Sequence, residues 1–318
     1  MEFRQIQYFV CLYEEGSVTR AAKRLNIVQP ALSMQIAKLE KEIGQQLFVR
    51  GSQGMQPTSE ARQMYRLFLP ILGDFSRARE QVMQTNAELN GQVRVGMIAT
   101  IAQGVLVDAL LEFSAAHPKV ALSMTDGFSG TLTDAVSVGH LDAAVINKPR
   151  RPLALNTQPI SEEELLVVTG PQHARLSEAV PFAHLAQLKL VLPTRQHGLR
   201  GILESFAQAE DVSLAPLVEI DSIGAILKLV HESDFCTLLP RIAVRRQLDV
   251  ESLHGRSIQS PRVTRHIVCV TNPRRPLTPA ASAFIAVLSR HIRKSANFEG
   301  DSRPLSLLHE AAEARRLQ

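Results

Sequence analysis

The polar residues best suited to recognition chemistry in this 318-residue chain are concentrated between positions 16 and 50. Two short helical patterns joined by a tight turn occupy this stretch, and residues 47–50 follow as a candidate wing. On the second helix, apolar residues recur at the spacing of one helical face: Leu32, Ile36, Leu39 and Ile43. The rest of that helix carries amide, hydroxyl and ammonium groups. Such a helix, placed after a short turn, predicts insertion into the major groove of DNA.

Local signals position these helices. Ser17 is a candidate N-cap for a helix over residues 18–25, Pro30 suits a first helical turn, and Gly44 is a candidate C-terminal stop. An earlier amphipathic helix is predicted over residues 4–14. The alternative is a small helical subdomain with no role in DNA binding.

A longer helix is predicted over residues 59–89, with Ser59 as its candidate N-cap. Its apolar residues follow a heptad-like seam: Met64, Phe68, Ile71, Phe75, Ala78, Val82 and Leu89. A single apolar stripe on so long a helix predicts pairing with a second helix, and hence dimerisation. Packing of this stripe on the rest of its own chain is the alternative. Pro70 lies inside the helix, where it must cause a kink or cost a hydrogen bond.

From residue 92 onward, predicted strands and helices alternate, which indicates an α/β domain with parallel sheets. Predicted strands cover residues 93–98, 120–125, 143–146, 165–168, 188–192, 215–220, 235–239 and 266–270. Predicted helices cover residues 105–116, 131–138, 199–208, 223–231 and 280–294. A second, similar lobe is expected to begin near residue 165.

In open α/β sheets, ligands bind beyond the carboxyl ends of strands and at helix N-termini. Hydroxyl, amide and cationic groups at those positions suit a small carboxylate or sulfonate, with an aromatic ring as one option. The rule selects Thr100, Ile101, Ser129, Thr131, Asn147, Thr194, Arg195 and His197 as candidate effector-binding residues, with Arg200 behind them. Capping and turn formation are the alternatives for these residues. For Asn147, Arg195 and His197 a solvent-exposed position is the expectation.

Composition narrows the class of protein. Hydrophobic residues make up 45% of the chain, enough for full cores, and the net charge of +4 tolerates a phosphate backbone without requiring one. We expect no membrane span and no signal sequence, and therefore a cytoplasmic protein. The three cysteines lack metal-ligand spacing, and we expect Cys11 and Cys269 in cores. A redox-sensing role is the alternative for Cys236.

Motifs for catalysis are missing from the sequence. It has no GxSxG, no Walker loop and no HExxH, so we expect neither an enzyme nor a metal or other cofactor. Two alternatives from other classes stay open. One is a periplasmic binding protein, and the other is an enzymatic α/β domain that carries an unrelated helical head.

Specific residues give the chain a resemblance to LysR-type transcriptional regulators. They are Ser17-Val-Thr-Arg-Ala-Ala, Gln29-Pro-Ala-Leu-Ser33, Lys38-Leu-Glu40, Gly44 to Arg50 and Pro57-Thr-Ser-Glu-Ala61. The total length also fits a regulator that joins such a head to a regulatory domain of about two hundred residues. One position departs from the family pattern, because Met34 stands where an arginine is common. A thioether suits a thymine methyl better than a guanine edge.

The resemblance implies a domain plan. A winged helix-turn-helix DNA-binding domain would cover residues 1–58, a linker and dimerisation helix 59–90, and a periplasmic-binding-protein-like regulatory domain 91–296. Its first lobe would comprise residues 91–161 and 268–296, and its second lobe residues 162–267. Residues 297–318 would be a flexible tail, with packing or an oligomer role as the alternative.

The resemblance also implies partners. They are double-stranded DNA, RNA polymerase, a small-molecule effector and further copies of the chain in a dimer or tetramer. The expected DNA-binding residues are Arg20, Gln29, Pro30, Ser33, Met34, Lys38 and Arg50.

Overall fold

The computed structural model describes residues 1–51, 54–83, 88–173 and 179–296. Two compact units emerge from its contacts. One contains Met1–Glu88 with the short segments Ser137–His140 and Arg274–Thr278, and the other contains the remaining residues. The expected tail at residues 297–318 lies outside the described residues.

Three helices form the core of the first unit: α1 (Phe3–Glu15), α2 (Val18–Arg24) and α3 (Gln29–Ile43). Ser17 caps α2 by accepting a hydrogen bond from the Arg20 N–H at 3.5 Å, as predicted. Gly44 ends α3 with φ of 73°, a left-handed conformation that favours glycine. The buried faces of the helices share one core that includes Phe9, Leu12, Leu32 and Leu39. The three-helix layout predicted from the sequence is therefore confirmed.

A two-stranded wing follows the helices and is anchored by Glu40. Strands β1 (Phe48–Gly51) and β2 (Gly54–Pro57) pair antiparallel. The carboxylate of Glu40 accepts hydrogen bonds from the N–H groups of Leu47 at 2.7 Å and Phe48 at 3.1 Å. Bonds to a charged acceptor are strong, so this residue fixes where the wing leaves α3.

The long helix α4 (Ser59–Met83) differs from the prediction at both ends. Its N-cap is Thr58, whose hydroxyl accepts from the Ala61 N–H at 3.2 Å, whereas Ser59 is already helical and bonds to Glu60. Leu89, predicted as the last seam residue, lies outside the helix, and residues 84–87 are not described. The helix continues through Pro70.

The predicted seam on α4 is divided between two environments. Met64 is buried and Phe68 packs against the core of the first unit. Ile71 and Phe75 of the seam are exposed, and so is Leu67, which the predicted seam does not include. Phe75 also contacts Phe3, with ring centroids 4.2 Å apart. An exposed apolar stripe of Leu67, Ile71 and Phe75 therefore remains along the middle of α4.

The first lobe of the regulatory unit is built around three parallel strands. They are β3 (Gly91–Met97), β4 (Val120–Asp126) and β5 (Ala143–Asn147), in the order β4-β3-β5. Helices α5 (Ala99–Ala116) and α6 (Ser129–Ser137) follow the first two strands, and α10 (Pro279–Ala296) packs on the same core. Phe113 of α5 meets Phe284 of α10 edge to face, with centroids 5.3 Å apart.

The second lobe has its own continuous core of buried residues. Its strands are β7 (Ala179–Pro181), β8 (Val191–Leu192), β9 (Val218–Glu219), β10 (Cys236–Pro240) and β11 (His254–Gln259). Its helices are α7 (Gly198–Ala209), α8 (Ile223–Glu232) and α9 (Arg241–Asp249). The alternation predicted from the sequence is confirmed here, although β8 and β9 are shorter than expected.

Two long strands join the lobes, and they make the main sheet mixed instead of parallel. Strand β6 (Asn156–Thr169) and strand β12 (Thr264–Thr271) pair antiparallel with each other. β12 also pairs with β5 of the first lobe, and β6 with β10 and β11 of the second. The expectation of parallel sheets was incomplete because the first of these strands was predicted only at residues 165–168.

One helix has the length and apolar composition that crossing a membrane requires. Within the described residues, Ala99–Ala116 meets both criteria, with a mean hydropathy of 1.3 over 18 residues. Its residues Ile101, Val105 and Phe113 are buried in the first lobe. Core helices of globular domains satisfy the same criteria, so this helix is weak evidence for a membrane.

We expect Thr58→Ala to loosen the first turn of α4 more than Ser59→Ala does, because only Thr58 caps the helix. Loss of an N-cap costs about 1 kcal/mol, which corresponds to roughly fivefold faster opening of that turn. Hydrogen–deuterium exchange of the Ala61 amide in the full-length chain measures this opening. Equal exchange in the two variants would contradict the cap assignment.

Candidate functional site

The residues of α3 that are predicted to contact bases lie together on its exposed face. Gln29, Pro30, Ser33, Met34 and Lys38 are all exposed, whereas Leu32, Ile36 and Leu39 on the same helix are buried. Met34 is 69% exposed, which is unusual for a large apolar side chain. The face therefore combines hydrogen-bonding groups with an apolar tip that suits a thymine methyl.

The cations around α3 differ in how firmly local carboxylates hold them. Arg24 forms ion pairs with Glu14 at 2.7 Å and Glu15 at 3.2 Å. Arg20 pairs with the Glu15 carboxylate at 3.5 Å and also donates from Nη2 to the Glu15 carbonyl oxygen, and Lys38 pairs with exposed Glu2 at 3.1 Å. Arg50 is exposed on the wing. Exposed pairs contribute little stability, so Arg20, Lys38 and Arg50 can exchange them for phosphates.

In the regulatory unit, three helices begin at one polar cluster between the lobes. Thr100 lies in the first turn of α5, Ser129 is the first residue of α6, and Gly198 is the first residue of α7. Asn147 ends β5 and completes the first lobe's share of the cluster. Helix N-termini carry partial positive charge, so their convergence favours an anion at this point.

A buried ion pair on the crossing strands forms the base of this cluster. Arg265 of β12 and Glu163 of β6 are directly opposite one another in the strand register. Both are buried, at 1% and 3% exposure, and Nε of Arg265 donates to Oε1 of Glu163 at 2.6 Å. Burial lowers the pKa of Arg265 from its ordinary value, and the adjacent carboxylate opposes that shift.

Arg265 also reaches the first lobe. Its Nη1 donates to the hydroxyl of Thr100 at 2.8 Å and to Oδ1 of Asn147 at 3.3 Å. One guanidinium therefore connects the crossing strands, the start of α5 and the end of β5. Such fixed, multidentate donation is the property that distinguishes arginine from lysine.

Several atoms of the cluster make no hydrogen bond within the described part of the chain. They are Ser129 Oγ, Asn147 Nδ2 and Glu163 Oε2, all buried. Arg265 Nη2 also makes no hydrogen bond to a described residue, although it lies in ion-pair contact with Glu163 Oε1. Gly198 lies against two of these groups, because a Cβ added there would be 2.9 Å from Asn147 Nδ2 and 3.4 Å from Ser129 Oγ. A buried polar atom without a partner is costly, so these three atoms mark the cluster as a candidate binding site.

His197 is buried, contrary to the expectation of a solvent-exposed loop histidine. Its Nδ1 accepts from the Leu199 N–H at 3.2 Å and so caps α7, and its ring meets Phe128 edge to face. Burial lowers the pKa of His197 below its ordinary value of 6.5; Asp221 opposes the shift and Arg265 adds to it. The imidazole is therefore neutral at neutral pH.

The remaining predicted residues have other surroundings. Asn147 is buried, against expectation, whereas Arg195 is exposed and pairs with Glu204 at 3.4 Å. Thr194 donates its hydroxyl to Asp221 at 2.9 Å, Ile101 is fully buried in the first lobe, and Thr131 is exposed. Of the eight predicted residues, Thr100, Ser129, Asn147 and His197 contribute to the cluster or adjoin it.

Glu163 and Arg265 were missed in the sequence, although their alternation with core residues could have revealed them. Arg265 is in phase with buried Val263 and Ile267, and Glu163 with buried Leu165. A charged residue on the apolar side of a strand must find a partner, which is a signal for a buried pair.

The cysteines show no reactive environment. All three are buried and free, and burial raises the pKa of Cys236 to about 11 and that of Cys269 to about 12. A buried, protonated thiol is inert, so the structure gives no support to redox sensing by Cys236.

Two family models match the chain. The model described as "Bacterial regulatory helix-turn-helix protein, lysR family" matches residues 3–62. The model described as "LysR substrate binding domain" matches residues 86–293.

Individual relatives match over nearly the whole length. The nitrogen assimilation regulatory protein nac of Klebsiella aerogenes is 29% identical, covering 91% of this chain and 94% of that protein. The probable cat1 operon transcriptional activator of Acinetobacter lwoffii is 26% identical, covering 84% and 89%. Among solved structures, full-length OxyR from Pseudomonas aeruginosa aligns with a TM-score of 0.71 at 23% identity, covering 95% and 99%. Full-length CbnR complexed with its target DNA aligns with a TM-score of 0.54 at 20% identity, covering 92% and 100%.

We expect Arg265→Ala to lower the free energy of unfolding by about 3–5 kcal/mol, because it leaves the carboxylate of Glu163 buried without its partner. Arg262→Ala is the matched control. It removes an exposed pair with Glu164, in which the Arg262 side chain is 70% exposed, and should cost about 0–1 kcal/mol. Urea unfolding followed by far-UV circular dichroism suits a chain without tryptophan. Equal losses in the two variants would contradict the role given to the buried pair.

Proposed function

The chain belongs to the LysR family of bacterial helix-turn-helix transcriptional regulators, and we propose that it senses a small organic acid bound between its two lobes. An aromatic acid is one candidate. The family membership gives the chain a DNA-binding head and an effector-binding domain. The acidic nature of the effector is our proposal.

One observation carries this proposal: three helix N-termini converge on a buried guanidinium. The first turns of α5, α6 and α7 adjoin Arg265 or the groups that it holds. The charge of Arg265 is balanced by Glu163, so the positive helix ends are what favour a carboxylate over a neutral or cationic ligand. The partnerless atoms of Ser129 and Asn147 supply further donors for such a group.

We propose that α3 reads the operator through the major groove. Gln29 and Ser33 would contact base edges or neighbouring phosphates, Pro30 would lie beside them, and Met34 would contact a thymine methyl. Arg20 and Lys38 would neutralise phosphates, and Arg50 of the wing would reach the backbone or minor groove. The exposure of these side chains supports the assignment.

The exposed stripe on α4 supports a dimer, in which two heads would reach successive major grooves. Two dimers would form a tetramer that bends the DNA. Effector binding would change the angle between dimers and so the contact with RNA polymerase. A ligand drives such a change only if it binds one arrangement more tightly than the other.

We expect Ser33→Ala to weaken operator binding about tenfold and to leave effector affinity unchanged. Thr100→Val should do the reverse, because it removes the hydroxyl that accepts from Arg265. Gel shifts with the DNA upstream of the neighbouring operon measure the first effect. A thermal-shift screen of aromatic and aliphatic carboxylates identifies an acid with which to measure the second.

A comparable loss of both activities in either variant would contradict this division of labour. If gel shifts show no sequence-specific DNA binding and the protein converts a small acid to a product, the proposed function as a transcriptional regulator is wrong. If no carboxylate raises the melting temperature of the protein, the proposal that the effector is an acid is contradicted.

We expect Ile71→Asp to convert the dimer to a monomer, because it introduces a charge into the exposed stripe of α4. Arg66→Asp is the control, since Arg66 is exposed outside that stripe. Light scattering after size-exclusion chromatography reports the mass of each variant. A dimer that persists with Ile71→Asp would indicate that α4 is not the dimer contact.

A further inference from the structure

The cluster between the lobes presents buried atoms of opposite hydrogen-bonding kinds. Asn147 Nδ2 and Ser129 Oγ can donate, whereas Glu163 Oε2 can only accept while it is ionised. No residue in the described ranges provides a hydrogen bond to any of the three atoms. A ligand that satisfies all of them must therefore both accept and donate.

Arg265 fixes which atoms are left for a ligand. Because its Nη1 donates to Asn147 Oδ1 at 3.3 Å, the amide nitrogen of Asn147 faces elsewhere. Because its Nε donates to Glu163 Oε1 at 2.6 Å and its Nη2 contacts the same oxygen, Oε2 is the oxygen left over. Rotating the Asn147 amide by 180° would break its bond to the guanidinium, whereas the same rotation of the Glu163 carboxylate exchanges two equivalent oxygens and still leaves one of them over.

A plain carboxylate satisfies only two of these three atoms. Its oxygens can accept from Asn147 Nδ2 and Ser129 Oγ. They must approach from a side other than α7, because even a Cβ at Gly198 would be 2.9 Å from the Asn147 nitrogen. Its charge offers nothing to Glu163 Oε2, which would remain buried without a donor. Because this oxygen is already unpaired among the described residues of the free protein, a ligand that supplies a donor to it should bind roughly tenfold or more tightly than one that does not.

We propose that the effector carries an amino or hydroxyl group next to its carboxylate, and that Glu163 Oε2 accepts a hydrogen bond from this group. This inference rests on the proposed acidic effector and narrows it to hydroxy acids and amino acids. Glu163 is then the residue that sets effector specificity, and Arg265 is a positioning residue that presents its free oxygen.

Two matched series of compounds test the inference by calorimetric titration of the full-length protein. One is benzoate, salicylate and anthranilate, and the other is propionate, lactate and alanine. In whichever series has a carbon skeleton that the site accepts, the hydroxy acid and the amino acid should bind about tenfold or more tightly than the plain acid. The O-methyl ether of lactate or salicylate, which keeps the oxygen but loses the donor, should bind like the plain acid.

Glu163→Gln should abolish or reverse this preference, because the amide oxygen must face Arg265 and its NH₂ group then occupies the Oε2 position. Glu162→Gln, one residue away and exposed, is the matched control and should retain the preference. If Glu163→Gln does not fold, the inference is tested by the natural protein alone, through the comparison of each donor-bearing acid with its methyl ether.

The outcomes separate this inference from the proposed function. Equal affinity of the natural protein for plain and donor-bearing acids would overturn the inference and leave the acidic effector in place. Failure of every acid in both series to bind would overturn the acidic effector, and the inference with it.

Discussion

The regulatory domain depends on one buried guanidinium. Removing Arg265 and Glu163 from water costs several kcal/mol per ion, and only close pairing with further hydrogen bonds offsets that cost. The pair forms only when β6 and β12 are in register, and Nη1 of Arg265 finds its partners only when Thr100 and Asn147 approach from the first lobe. A single side chain thus links strand register to the geometry of the cleft.

This constraint explains why the cleft is polar yet nearly neutral. The charges of Arg265 and Glu163 cancel, and burial keeps the neighbouring imidazole of His197 neutral, because its pKa lies below the ordinary value. What remains for a ligand is the partial charge of three helix N-termini and a few fixed atoms. Recognition in such a site depends on the placement of donors and acceptors more than on net charge.

The sequence predicted elements whose signals are local and missed those that depend on distant pairing. Helices α1 to α3 were predicted from the spacing of apolar residues and from the helix-end signals of Ser17, Pro30 and Gly44. Thr100, Ser129 and Asn147 were predicted because ligands bind beyond the carboxyl ends of strands. Glu163 and Arg265 are each in phase with buried residues of their own strand, but no local pattern shows that they pair, because the two strands are about a hundred residues apart. The cap of α4 was misjudged by one residue because two adjacent hydroxyls, Thr58 and Ser59, suit the position equally in sequence.

The arrangement of the cluster also limits how a ligand can act as a signal. A ligand held only by Asn147 and Ser129 would bind the first lobe whether or not the second lobe closed on it, and equal affinity for two states shifts neither. Contact with Glu163 on the crossing strand and with the second lobe adds affinity that exists only when the lobes are together. Only the part of the binding energy that comes from the crossing strands and the second lobe can therefore drive a conformational change. The hydrogen bond from the ligand's donor to Glu163 is the most direct source of that energy.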